Sequence, residues 1–239
     1  MNKKYRIILS LILAVSLCTA CGKTVSKTEP ESANNNVELI EHEDVDQSES
    51  EQLVTVVDTW EFEKVMNQSA ETVAPNIDIS DCDTFTQIID KKLEDGMGWI
   101  NEDFGDTNVL MVCSGTYDDL DGNMAGIDAV FYVYKDGIPG ELGKVCSGGT
   151  AYPLAKNNIY LYTASNHWIC KNIVTEDGIQ IMEGAAIEYD SNGKAVYYYT
   201  SQENEVMNEL SSMEAEELMN NLYAEMENAE IINFDTIQR

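Results

Sequence analysis

The sequence predicts an α+β domain: an antiparallel β-meander of about seven strands, with an N-terminal and a C-terminal helix packed on it. Three observations carry this reading. Apolar residues recur with a helical period near residues 83–95 and 212–228, and short β-branched and aromatic runs lie between them. Within that middle stretch, Asp177-Gly178 and Asn192-Gly193 each separate two apolar runs. Type I′ turns need positive φ, so these dipeptides favour hairpins and hence antiparallel neighbours.

The first helix is set by Phe85, Ile88, Ile89 and Leu93, which share one face at i, i+3, i+4 and i+8. Asp81 and Asp83 offer N-cap oxygens, and Gly96 offers a left-handed stop. Gly98 and Trp99 then read as a loop whose aromatic ring covers the core. Strands are expected at 108–114, 127–135, 142–147, 158–163, 167–174, 179–182, 186–189 and 194–200. Tyr132 with Tyr134, Tyr160 with Tyr162, and Tyr197 with Tyr199 are spaced by two, which puts each pair on one face of its strand. In the last helix, Ser211 and Glu214 form a capping box, while Leu218, Met219, Leu222 and Met226 form an apolar stripe.

Ahead of this domain the chain has a different character. Lys3, Lys4 and Arg6 precede an apolar run at 7–17, about 11 residues, too short to span a bilayer but suited to a secretory leader. Leu17-Cys18-Thr19-Ala20-Cys21-Gly22 resembles the bacterial lipobox. That resemblance implies a signal peptide over 1–20, cleavage before Cys21, and a diacylglyceryl thioether on Cys21 that holds the chain to the outer side of the cell membrane. The plainer alternative is an ordinary leader cut near Ala20. Residues 21–53 are polar and acidic with no apolar period, so they read as a disordered tether, spanning roughly 30 Å and extended further by self-repulsion. His42, inside the acidic run, reads as a solvated linker residue.

Residues 54–239 then form a single extracellular α+β domain. About 180 residues can bury about 70% of their chain surface, enough for a core without staples. That length is short for a two-lobed solute receptor. The chain carries 43 Asp and Glu against 14 Lys and Arg, a formal net charge of −29. Phosphate backbones repel such a surface, so nucleic acid is excluded as a partner. Solubility is the plain reading of the charge, and binding of cations or basic peptides is the sharper one.

The stretch Asp118-Asp119-Leu120-Asp121-Gly122-Asn123, followed by Asp128, is the best candidate for specific binding. Asp119, Asp121, Asn123 and Asp128 supply the hard oxygen donors that Ca²⁺ requires. Against this, the glutamate that an EF-hand places at its twelfth position is Val130 here, and an acidic turn with Asx hydrogen bonds needs no metal.

Four cysteines remain beyond the leader and lipid site: Cys82, Cys113, Cys146 and Cys170. They allow three pairings, or free buried thiols. Val112-Cys113-Ser114-Gly115 is echoed by Val145-Cys146-Ser147-Gly148, which suggests two strands ending in similar turns side by side, with Cys113–Cys146 the disulfide to test. His167 and Cys170 stand in an H-x-x-C arrangement, but a structural zinc needs four convergent ligands, and the other cysteines are scattered through separate elements. A nucleophile pair needs fewer groups: His167 with Cys146 or Ser147 would suffice, although no nucleophile elbow surrounds either.

Taken together, the segments 116–123, 126–129 and 147–154, within a span of roughly 83–200, resemble cell-surface lipoproteins of clostridial-type Gram-positive bacteria to which no activity is assigned. The resemblance implies a surface-anchored domain in a cell without an outer membrane. The expected role is a binding or interaction module for an unknown surface ligand or protein. A cell-wall or peptide-processing enzyme built on His167 and a structural accessory lipoprotein are the alternatives.

Overall fold

The strand run folds as two packed sheets rather than one, and its continuous apolar stretches 109–113 and 129–133 are buried on both faces. The computed structural model describes residues 53–67, 74–202 and 212–239. The leader, Cys21, the acidic tether and the Ser211 cap lie outside the described residues.

In chain order the elements are β1 (Leu53–Val56), α1 (Thr59–Asn67), α2 (Phe85–Lys92), β2 (Gly98–Phe104), β3 (Thr107–Cys113), β4 (Tyr117–Asp118) and β5 (Met124–Ala125). They continue with β6 (Asp128–Lys135), β7 (Ile138–Cys146), β8 (Ala155–Asn157), β9 (Tyr160–Ala164), β10 (Trp168–Thr175), β11 (Gly178–Tyr189) and β12 (Ala195–Ser201). The chain closes with α3 (Ser212–Glu227), β13 (Glu230–Ile231) and β14 (Asp235–Thr236). One sheet has the order β1-β12-β11-β10-β9-β8-β13, the other β14-β2-β3-β6-β7, and β4-β5 is a separate ribbon. Strands β8 to β12 are the expected antiparallel meander; β1 adds to its edge in parallel with β12.

Alternation along the strands sets the layers. In the five-stranded sheet, Val109, Met111, Ala129 and Phe131 face a core shared with Leu161 and Val174 of the seven-stranded sheet. Their neighbours Leu110, Val112, Val130 and Tyr132 face the other way, onto Phe85 and Ile88 of α2. On the outer face of the seven-stranded sheet, Tyr162, Ile169 and Tyr199 meet Met219, Leu222 and Met226 of α3. The order is therefore helix, sheet, sheet, helix, with the two helices on opposite outer faces instead of sharing one face of a single sheet.

A third helix was not foreseen. Helix α1 lies on the inner face of the seven-stranded sheet, where Phe62 packs with Trp168, Cys170, Ile181 and Ala186. Its start is well specified: Asp58 caps it, accepting from Glu61 N at 2.9 Å.

Several boundaries move for physical reasons. Residues 179–182 and 186–189 are one long strand, β11, paired with β10 between Gly178 and Ala186 and with β12 between Glu183 and Tyr189. Trp99 lies in β2, not in a loop, because its backbone pairs with Val112 on one side and Asp235 on the other. Thr84, rather than Asp81 or Asp83, caps α2, its hydroxyl accepting from Gln87 N at 3.2 Å. The helix has already ended at Leu93, and the left-handed Gly96 serves the following turn, where its N–H donates to Ile237 O at 2.9 Å.

Candidate functional site

The acidic turn closes on itself. The Asp119 carboxylate accepts from the backbone N–H of Asp121 and Asn123, both at 2.9 Å, and from Asn123 Nδ2 at 2.7 Å. Those bonds, the Asn123 amide foremost, hold its pKa below the ordinary carboxylate value. Asp128 is buried and turned away, accepting from Ser114 N at 2.8 Å and from the Ser114 hydroxyl. Of the four candidate cation ligands, Asp119 and Asn123 are thus bonded to each other, while the Asp128 carboxylate serves Ser114. Among the described residues no group of three or more His, Cys, Asp or Glu side chains is placed to hold a metal ion.

All four cysteines of the domain are free. The expected Cys113–Cys146 pair fails on topology, because β3 and β7 flank β6 on opposite sides. Two strand spacings of about 4.8 Å exceed the reach of a disulfide. Burial, aided by the Asp128 carboxylate, pushes the Cys113 thiol up to about 12 and the Cys146 thiol to about 11. Neither is a nucleophile near neutral pH, because the reactive form is the thiolate.

His167 stands on the exposed β9–β10 turn, its ring edge-on to Tyr189 with centroids 6.4 Å apart. Ser147 is buried, and its hydroxyl accepts from Ala164 N at 3.2 Å. Among the described residues no hydrogen bond joins the His167 ring to Ser147 or Cys146; His167 N donates instead to Ser165 Oγ at 3.1 Å.

The structure instead builds a cleft of about 370 Å³ where α1, β7 and the inner face of β10 and β11 meet. Its floor follows from strand alternation: Trp168, Cys170 and Asn172 project from the same side of β10. Trp168 and Asn172 line the cleft, and Cys170 between them lies against Met66 of α1, Sγ to Sδ 2.9 Å. Thr163 reaches the same floor from β9, paired with Cys170. Asn172, only 5% exposed, donates through Nδ2 to Leu161 O at 3.1 Å and Thr163 Oγ1 at 3.3 Å. Glu63 and Met66 form the α1 wall, and β7 forms the opposite one.

One atom there is out of balance. Trp168 is 3% exposed, and its indole N–H has no hydrogen-bond partner among the described residues. A cleft of this size lies at the lower end of ligand sites, which combine apolar walls with a few oriented polar groups. Met66, Val145 and Ile181 supply apolar side chains within a lining that is otherwise largely polar, and Trp168 brings to it a buried donor with no protein acceptor. No short motif signals this site; only the Asp58–Glu61 capping pattern before Phe62, Val65 and Met66 betrays the helix that walls it.

Comparison with protein-family models, curated proteins and solved structures finds no match for the chain. Among the described residues, no helix is long and apolar enough to cross a membrane.

Proposed function

We propose that the chain is an extracytoplasmic binding lipoprotein, anchored to the cell membrane through Cys21, whose ligand sits in the cleft between α1, β7 and β10. The anchor rests on the lipobox-like 17–22 segment, and the tether would hold the domain off the membrane. The ligand site rests on one observation: the buried, unpartnered indole N–H belongs to Trp168, a residue that lines the cleft with Asn172 and Thr163. Leaving a buried donor unsatisfied costs about 1–3 kcal/mol, and a ligand acceptor recovers that loss. The dispersed His167, Ser147 and Cys146 give the enzyme alternative no comparable support.

Photo-crosslinking on intact cells tests the proposal. With a benzophenone amino acid at Ile181 in the cleft, an adduct should form that is absent when the same group replaces the exposed Tyr189. Identical adducts, or none, from both positions would refute a cleft ligand. A Cys21→Ala variant should leave the membrane fraction; unchanged membrane retention would refute the anchor.

A further inference from the structure

We infer that the cleft receives an extended peptide, which adds as a strand to the outer edge of β7 and places one side chain beside Trp168; this rests on the binding role proposed above. A cavity lying on the face of a strand meets every second residue. This one meets five in succession, Leu142 to Cys146, so it runs along the edge of β7. That edge is the outermost of the five-stranded sheet, whose order ends β6-β7.

The hydrogen-bond phase shows which groups are available. Ser147 N donates to Ile127 O at 2.7 Å, across the pair that continues the register Cys146↔Asp128 and Val145↔Ala129. Because antiparallel bonding alternates, Val145 and Gly143 also turn their backbone groups toward β6. Lys144 and Cys146 turn theirs outward. Among the described residues, no backbone-to-backbone hydrogen bond reaches Lys144 or Cys146 from beyond the sheet; the Ala74 N–H meets only the Cys146 thiol. The register shift at Phe131/Tyr132, with Leu142 as the extra residue, ends the regular edge on one side, and Pro139 lies beyond it. The exposed edge is thus short, suited to about four residues of a bound strand.

Charge and size narrow the occupant. A net charge of −29 and Glu63 on the cleft wall favour a peptide bearing a basic residue, while the charge of Lys144, also on the wall, is offset by the Glu141 carboxylate 3.8 Å away. The side chain entering the cleft must offer an acceptor, a carbonyl or hydroxyl, to the indole N–H. Main-chain bonds to the edge would then supply affinity and the cleft would supply selectivity, as in other strand-addition complexes.

The test uses the full chain in mild detergent and a displayed library of random hexapeptides. Enrichment of β-forming sequences that contain a basic residue is expected. The selected peptides should bind Lys144→Pro, which loses the outward N–H, at least tenfold more weakly than Lys144→Ala, which keeps it. Independently of any variant, hydrogen exchange at the Lys144 and Cys146 amides should slow when peptide is added. No enrichment over a protein-free control, equal affinity of the two variants, or unchanged exchange at both amides would overturn the inference. So would amides already protected in the free chain, since its own backbone would then cover the edge. A non-peptide adduct at Ile181 would overturn strand addition and leave the binding role standing.

Discussion

Phe62 of α1 fills the space that a side chain on Gly184 of β11 would need: a Cβ there would lie 2.7 Å from Phe62 Cε1. Helix and sheet can meet at this point only because position 184 is bare. Gly184→Ala should therefore push α1 off the sheet, destabilising the domain by about 1–3 kcal/mol as overpacking does. Urea unfolding followed by tryptophan fluorescence checks this. A lower midpoint at unchanged slope is expected, because the surface exposed on unfolding does not change.

Asp128 acts as a structural acceptor for Ser114. Asp128→Ala strands the Ser114 N–H and hydroxyl and should cost about 1–3 kcal/mol, whereas the exposed Asp121→Ala should change stability by less than about 0.5 kcal/mol. Calcium should leave the Tm of the unmodified chain unchanged, since a cation bound only by the native state would raise it. Thermal unfolding of the three proteins with calcium and with chelator measures both effects.

Stability should fall at alkaline pH. The Cys113 and Cys146 thiols are raised by burial to about 12 and about 11, and burial also raises Cys82, Cys170, Tyr132, Tyr162 and Tyr223. In the unfolded chain these groups lose protons at lower pH than in the native state, so above about pH 8.5 the unfolded state binds fewer protons. The contribution is fully present below that pH and is lost as pH rises toward 11 and 12. Denaturant midpoints from pH 7 to 11 should be flat at first and then decline. Alkylation of Cys146 at pH 8 should run roughly a hundredfold slower than that of a free cysteine.

Trp168 and Asn172 should respond unequally to truncation. Trp168→Phe removes the penalty of an unpartnered buried donor but also leaves part of the buried indole's volume empty, so the two effects offset and stability should change by less than about 1 kcal/mol. Asn172→Ala removes the donor that serves Leu161 O and Thr163 Oγ1, and should lose about 2–3 kcal/mol. Calorimetric Tm values of the two variants decide this.

Much of the architecture was legible because period-two runs and turn residues act locally. The strands around Thr107–Cys113, Asp128–Lys135 and Trp168–Thr175, and helix α3, fall within one or two residues of where periodicity puts them. The division into two sheets was not legible, since alternation marks which residues are buried but not which sheet covers them. The Tyr160/Tyr162 and Leu161 faces look alike in the sequence, yet one meets α3 and the other meets the second sheet. The cleft was hidden for the same reason. Trp168, Asn172, Cys146 and Met66 are brought together by topology, and a buried indole in a strand reads as core until its N–H is seen to lack a partner.

The most direct test follows the three indole N–H resonances of ¹⁵N-labelled chain, from Trp60, Trp99 and Trp168, as an extract of the cell surface is added. The Trp168 resonance alone should move downfield, as its N–H gains an acceptor, and Trp168→Phe should remove the shifting peak. A Trp168 resonance that stays in place while the chain binds its ligand would contradict the assignment of the cleft.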